Sequence, residues 1–285
     1  MRGRRLTIRQ TMNAKHRASS GLENALDESA CDQFLRLVGM RRRPPSLDYL
    51  TLLLRACYAR IPFQNLSMLT GPRRPPTIAE ITAMMLRGLG GPCDVNNFFL
   101  CALLHRLGFN VGLLPASMSE PDCHIGLSVA LDGQKYWMDF GNGFPYLTPL
   151  PIVHDASAVH IGFRYQLEIR DGRASVRQNA LGEKQTVVNQ IIALREVHYS
   201  YFDAMRARHY GEPGFGPFLS GVRINRWELK RGFIMRDNTI RNLPGKKQTA
   251  DFDAGLAWIR RHFDGELFAP LYRKSMEVLD ATKHL

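Results

Sequence analysis

Three residues of this chain, Cys93, His124 and Asp139, have the types and order of a thiol nucleophile, its base and the group that orients the base. Cys93 follows Gly90-Gly91-Pro92 and opens a helical pattern in which Val95, Phe99, Leu103 and Leu107 recur until Gly108 stops it. Pro92 suits the first helical position, where a missing N–H costs nothing. Unpaired N–H groups and the positive dipole end at a helix start favour an anion, and a thiolate is one. His124 can take the thiol proton, and a carboxylate can fix its tautomer and stabilise its charge. Each residue alone also fits a structural role: a small buried thiol, a half-buried histidine, a strand-end cap. The reading rests on all three together.

The second half of that constellation depends on a hairpin. His124, Gly126, Ser128 and Ala130 alternate with Ile125, Leu127, Val129 and Leu131, which is a strand with one buried face. Asp132-Gly133 is a two-residue turn, and Gln134 to Phe140 returns. A turn centred there sets Asp139 opposite Gly126, on the face that carries His124. Asp139 and His124 are then diagonal neighbours with Cα atoms roughly 7–8 Å apart or less, within reach of each other. Ile125, Leu127, Val129, Tyr136, Met138 and Phe140 form the opposite, apolar face. The remaining histidines lack such a carboxylate. Cys93, Cys101, Cys123 and His124 match no usual metal-ligand spacing, and Cys123 points to the other strand face, so no metal site is expected.

The rest of the chain must position these parts. A helical pattern runs from about Gly21, with Phe34, Leu35 and Val38 on one face. Ser46 caps a helix carrying Leu47, Leu50, Leu54 and Tyr58, and Thr77 caps another through Leu86. Pro62 forces Ile61-Pro62-Phe63-Gln64-Asn65-Leu66 into an extended or turn conformation. A second Asp-Gly hairpin at Asp171-Gly172 faces Tyr165, Leu167 and Ile169 with Gln178, Val176 and Ala174. Residues 110–180 therefore read as an antiparallel sheet curling into a small barrel. Residues 191–210 read as irregular to helical and 211–217 as a Gly/Pro loop. Val222 to Ile240 reads as strands, and Phe252, Leu256, Ile259 and Phe263 mark a final amphipathic helix.

With 285 residues, 45% of them hydrophobic, the chain can bury two or three packed layers. It lacks an apolar run of the ~18 residues a membrane span needs, and a secretory leader pattern. Its five cysteines, with no CxxC, point to a reducing compartment, and the expected location is the cytoplasm. Half of the net charge of +12 comes from Arg2, Arg4, Arg5, Arg9, Lys15 and Arg17, so residues 1–20 read as a disordered basic tail, with Met12 as an alternative start. The remaining charge is spread out and suits an anionic small substrate better than nucleic acid.

Taken together the segments resemble the arylamine N-acetyltransferases. The resemblance is carried by Ile61-Pro62-Phe63-Gln64-Asn65-Leu66, by Gly90-Gly91-x-Cys93 with Asn97, and by His124 with Asp139-Phe140-Gly141-Asn142-Gly143. It covers residues 30–150 well and the C-terminal third loosely. It implies an α+β fold with a cysteine-protease-like Cys-His-Asp core: an N-terminal helical bundle over 21–108, a middle antiparallel β-barrel over 109–200 and a C-terminal α/β lid over 201–285. It also implies acyl transfer from a coenzyme A thioester, acetyl-CoA or longer, through a Cys93 thioester to a small-molecule amine. Gly141 and Gly143 match the Gly-rich turn beside the acyl-coenzyme site. The chain departs from the family at Gln64 (an acid), Leu89 (an arginine), Val95 (a glutamate) and Asn142 (an aromatic). None of these is in the triad, so the departures bear on the donor, the acceptor and the packing around Cys93. A longer acyl chain, an acyl carrier protein as donor or an intramolecular amine, as in an amide-forming cyclase, fits such changes. A thioester hydrolase or protease would use the same triad, and an inactive binding homologue would keep the fold alone.

Overall fold

The computed structural model describes residues 19–180 and 186–282, and most of the basic N-terminal segment lies outside them. Ser20 is buried: its hydroxyl meets His105 Nε2 at 2.9 Å, and its carbonyl accepts from Tyr199 N. The packed chain therefore begins before Gly21. The first helix, however, starts only at Glu28, where Asp27 caps it.

Five helices come first: α1 (Glu28–Leu37), α2 (Leu47–Arg60), α3 (Leu66–Thr70), α4 (Ile78–Leu86) and α5 (Cys93–Arg106), with the two-residue strand β1 (Phe63–Gln64) between α2 and α3. Ser46 caps α2, and Thr77 with Glu80 forms a capping box on α4. Helix α5 is the centre of the molecule. Its apolar spacing describes one face, yet every residue from Cys93 to Leu104 is buried. It packs against α1 and α4 and against the strands that follow, so Asp94, Asn96 and Asn97 are buried with their apolar neighbours.

Eight strands then make one antiparallel sheet: β2 (Asn110–Ser117), β3 (His124–Leu131), β4 (Gln134–Met138), β5 (Leu150–Pro151), β6 (Ser157–His160), β7 (Phe163–Arg170), β8 (Arg173–Ala180) and β9 (Val187–Ala193). Their order is β5-β4-β3-β2-β9-β8-β7-β6, a nearly closed barrel. Leu127 pairs with Met138 and Leu131 with Gln134, the register set by Asp132-Gly133. Tyr165, Leu167 and Ile169 pair with Gln178, Val176 and Ala174. Strand β3 is not half-buried at its start: residues 124–129 are buried on both faces, because α5 packs on the strand while Trp137 and Glu196 cover Gly126 and Ser128.

The end of strand β9, from Ile191, lies where the sequence reads as irregular to helical, and the whole strand lies beyond the 110–180 sheet. Gln190 points inward, almost fully buried, while Val187, Val188 and Ile191 face outward. That inverted pattern hides the strand, and Gln190 has a partner inside that no local pattern contains.

A short 3₁₀ turn and α6 (Asp203–Gly211) lead into a second sheet of β10 (Arg223–Trp227), β11 (Gly232–Arg236), β12 (Thr239–Leu243) and β13 (Lys247–Thr249). Its first strand is β1, so this sheet runs β1-β10-β11-β12-β13 and ties the Pro62 segment to the C-terminal part. Helix α7 (Phe252–His262) is followed by a further helix, α8 (Gly265–Thr282), so the Phe252 to Phe263 pattern is not the last. Gly265 and Pro270 obscure α8 in the sequence, but Asp264 caps its start and Pro270 lies early in it. Helices α3, α7 and α8 bury a second core against Val222, Ile224, Phe233 and Met235. Among the described residues no helix is long and apolar enough to cross a membrane.

Candidate active site

Cys93 is the first residue of α5, and Pro92 is its N-cap in extended conformation. The turn before it requires glycine. Gly90 has φ +62°, and a Cβ there would lie 2.0 Å from the Pro62 carbonyl oxygen. The Ile61–Leu66 segment and the Cys93 turn are thus pressed together, and Gln64 locks them. Its Nε2 donates to Gly90 O at 3.1 Å and to Ser67 Oγ at 3.0 Å, while its Oε1 accepts from Ser67 N. A carboxylate at position 64 would set an oxygen against the Gly90 carbonyl. Leu89, next in the chain, is in the second core with Ile224. Positions 64 and 89 are thus both buried beside the Cys93 turn. Val95 is fully buried as well, packed where a Cβ on Gly91 would touch it.

His124 opens β3 and Asp139 follows the last residue of β4. The hairpin register brings them together: His124 Nε2 is 2.7 Å from Asp139 Oδ2. His124 also lies close enough to the Cys93 thiol for each to shift the other's titration, and with Nε2 engaged Nδ1 is the nitrogen left for the sulfur. All three side chains are buried.

Asp139 accepts four hydrogen bonds. Oδ1 receives Asn97 Nδ2 and Gly141 N, each at 3.0 Å, and Oδ2 receives His124 Nε2 at 2.7 Å and Gln190 Nε2 at 2.9 Å. Asn97, one turn along α5 from Cys93, also donates to Ile125 O and accepts from Phe140 N. It joins the helix to both strands. Tyr58 donates to the Asp139 backbone carbonyl. Gly141 is demanded by this packing: a Cβ there would sit 2.5 Å from Cys93 Cα and 2.6 Å from Asn97 Nδ2. A Cβ on Gly143 would meet Asn225 Nδ2 at 3.2 Å. Asn142 is buried, donating to Asn189 Oδ1 and accepting from Phe144 N.

Burial alone would raise the Asp139 carboxyl, but the His124 charge and the amide donors hold it below the usual carboxylate range. Burial works against the His124 imidazolium too, yet Asp139 and the Cys93 sulfur keep His124 well above the ordinary histidine range. For Cys93 burial wins: it pushes the thiol up, against the pull of His124. The neighbouring Asp94 charge adds to that rise. The Asp94 carboxylate faces the amides of Asp94 and Val95, and it pairs with Arg206 Nε at 3.0 Å. Arg206 comes from α6 and donates to Pro76 O as well. Sequence reasoning missed Gln190, Asp94 and Arg206. An acid directly after Cys93 in an apolar helix is the one available signal, and it says nothing about which arginine answers it.

The segment after α6 borders the same region. Asn65 donates to Phe218 O and Gly221 O and accepts from Arg223 N. His209 sits between Phe215 and Phe218, with ring centroids 4.8 and 5.0 Å away. Burial and the charge on His124 push it down to about 4.

A buried thiol, imidazole and carboxylate in series, spread over a helix start and one hairpin, is the arrangement that acyl transfer through a cysteine requires. Residues 46–239 match the family described as N-acetyltransferase, and the chain belongs to that family, the arylamine N-acetyltransferases. It is 32% identical over 111 residues to the chicken arylamine N-acetyltransferase, pineal gland isozyme NAT-3, a stretch covering 36% of this chain and 38% of that protein. The chain thus aligns with about two fifths of that curated relative's length. The fold is similar to the arylamine N-acetyltransferase of Mycobacterium abscessus, with TM-score 0.79, 21% identity, and 93% of this chain and 99% of that one covered. It is also similar to that of Nocardia farcinica (TM-score 0.78, 21% identity, coverage 92% and 98%). A third similar structure, from Bacillus cereus (TM-score 0.69, 15% identity, coverage 84% and 99%), is described as having a unique Cys-His-Glu catalytic triad.

Proposed function

We propose that this protein transfers an acyl group from a coenzyme A thioester to an amine through a thioester on Cys93. The observation that carries the reading is the four-donor cradle on Asp139, which keeps its carboxylate ionised and its Oδ2 against His124. With Nε2 tied to that oxygen, Nδ1 is the free position to take the Cys93 proton. The sulfur adds to the thioester carbonyl, the tetrahedral intermediate collapses, and the pantetheine thiol leaves with the proton His124 returns. An amine then attacks the Cys93 thioester while His124 takes its proton, and the amide departs.

The backbone N–H of Cys93, at the start of α5, is the oxyanion donor in this reading. Gly141 serves by letting its loop close onto Cys93, and half-buried Gly143 marks where a pantetheine arm runs past the backbone. The cytoplasm is the proposed location.

Incubating the protein with a panel of acyl thioesters, of coenzyme A and of carrier protein, and reading intact mass is the test. The expected result is one acyl adduct, mapped to Cys93 and discharged by an amine faster than by water. Discharge by water at the same rate would make it a hydrolase, and no adduct with any donor would leave a binding homologue.

A further inference from the structure

The β1-β10 pair has two faces, and only one looks toward Cys93. Asn225 and Trp227 point to the Gly143 loop, where Trp227 Nε1 donates to Gly143 O at 3.1 Å. Strand periodicity turns Arg226 the other way, onto the face where Val222 and Ile224 are covered by helices. There the ends of α2, α4 and α7 converge on a cavity of about 400 Å³. Its lining carries Arg60, Arg87, Arg226, Arg261 and His262, against one acid, Asp264.

Arginines at helix C-termini often do no more than complement the dipole. Here that task is already done. Arg226 donates to Ala59 O at 2.7 Å and to His262 O at 2.9 Å, serving the ends of α2 and α7. Asp264 is engaged in capping α8, and Glu228 is shared between Arg226 and Arg231. The side chains of Arg60, Arg87 and Arg261 make no hydrogen bond or ion pair among the described residues. The excess shows on neighbouring groups: burial and the charges of Arg261, Arg226 and Arg231 lower His262, and Arg60 adds to the lowering of Arg226. The floor is apolar, built from Pro62, Phe263 and Phe268. A cavity of this size falls within the range of small-ligand sites, roughly 300–1,000 Å³.

We propose that this cavity, on the far face of the sheet from Cys93, binds a phosphate-bearing organic anion. Unpaired guanidinium groups recognise phosphate oxygens through forked, charge-assisted hydrogen bonds, and the apolar floor takes the organic body. The site does not depend on the acyl-transfer reading, since none of its residues touches the triad.

The test is calorimetric titration of the full chain with inorganic pyrophosphate at low salt, followed by phenyl phosphate set against inorganic phosphate. The wild-type protein is expected to bind one equivalent of pyrophosphate, and phenyl phosphate more tightly than phosphate. Changing Arg87→Ala together with Arg261→Ala should weaken pyrophosphate by about tenfold or more. Both side chains are exposed, so the fold should hold; Arg226 is left intact because it braces two helices. A control, Arg164→Ala with Arg173→Ala on the barrel strands, removes the same charge elsewhere and should bind as wild type. Equal loss in the control would mean a diffuse field rather than a site, and absence of saturable binding to the wild type would likewise overturn the proposal. Phenyl phosphate binding no better than phosphate would remove the organic body from it.

Discussion

Gln190 donates its Nε2 to Asp139 Oδ2 at 2.9 Å, on the same oxygen that holds His124 Nε2 at 2.7 Å. Its own Oε1 is buried with no hydrogen-bond partner among the described residues. The Gln190 amide is therefore free to turn over, whereas that of Asn97 is fixed by Ile125 O and Phe140 N.

That asymmetry decides what Asp139→Asn does. The new amide must keep its oxygen toward Asn97 and Gly141, so its NH₂ faces Gln190, which flips to accept it, and His124. The imidazole then loses its Nε2 proton and carries one on Nδ1, toward the thiol, which is the wrong tautomer for a base. Acyl transfer should fall by about 10⁴, as in a serine-protease triad with the same change. The fold should persist with a loss of about 1–3 kcal/mol. Single-turnover acylation, iodoacetamide labelling of Cys93 and urea unfolding check these together; near-normal acylation would mean that Asp139 does not set the tautomer.

Gln64→Glu should destabilise the protein by about 1–3 kcal/mol, because a carboxylate replaces the donor to Gly90 O in a buried turn. Adding Leu89→Arg should recover part of that loss if the two positions are one matched change. A double-mutant cycle measures it, and strictly additive effects would separate the two sites.

Arg206→Met should cost about 3–5 kcal/mol, since it strands the Asp94 carboxylate in the core. Asp94→Asn in the same background should restore much of it. Urea denaturation of the three variants gives the answer. If Arg206→Met is nearly neutral, Asp94 takes up a proton instead, which burial favours.

The His124–Asp139 pair gives stability a signed dependence on pH. The raised His124 contributes fully below its unfolded value of about 6.5 and loses that contribution as pH rises toward its folded one. The depressed Asp139 contributes above its unfolded value of about 3.9 and loses it as pH falls. Unfolding free energy should thus decline from about pH 6.5 upward. His124→Gln should flatten that slope. An unchanged slope in the variant would place the titration elsewhere.

The sequence alone determined the parts that depend on local geometry. Asp132-Gly133 is a turn of fixed length, so it set the register that carries Asp139 to His124. Glycine and proline before Cys93 determined that the thiol opens a helix. Ser46 and Thr77 placed the starts of α2 and α4. What only the tertiary structure decided involves partners far apart in the chain. No local pattern singles out Gln190, and only the barrel brings it to Asp139. Nothing near Arg206 in the chain points to Asp94, and only the docking of α6 pairs them. Gly141 looks like room for a ligand, but the α5 backbone fills it. A turn's conformation is fixed by the residues within it, whereas a buried polar group is explained only by what packs against it, and that partner is set by the whole fold.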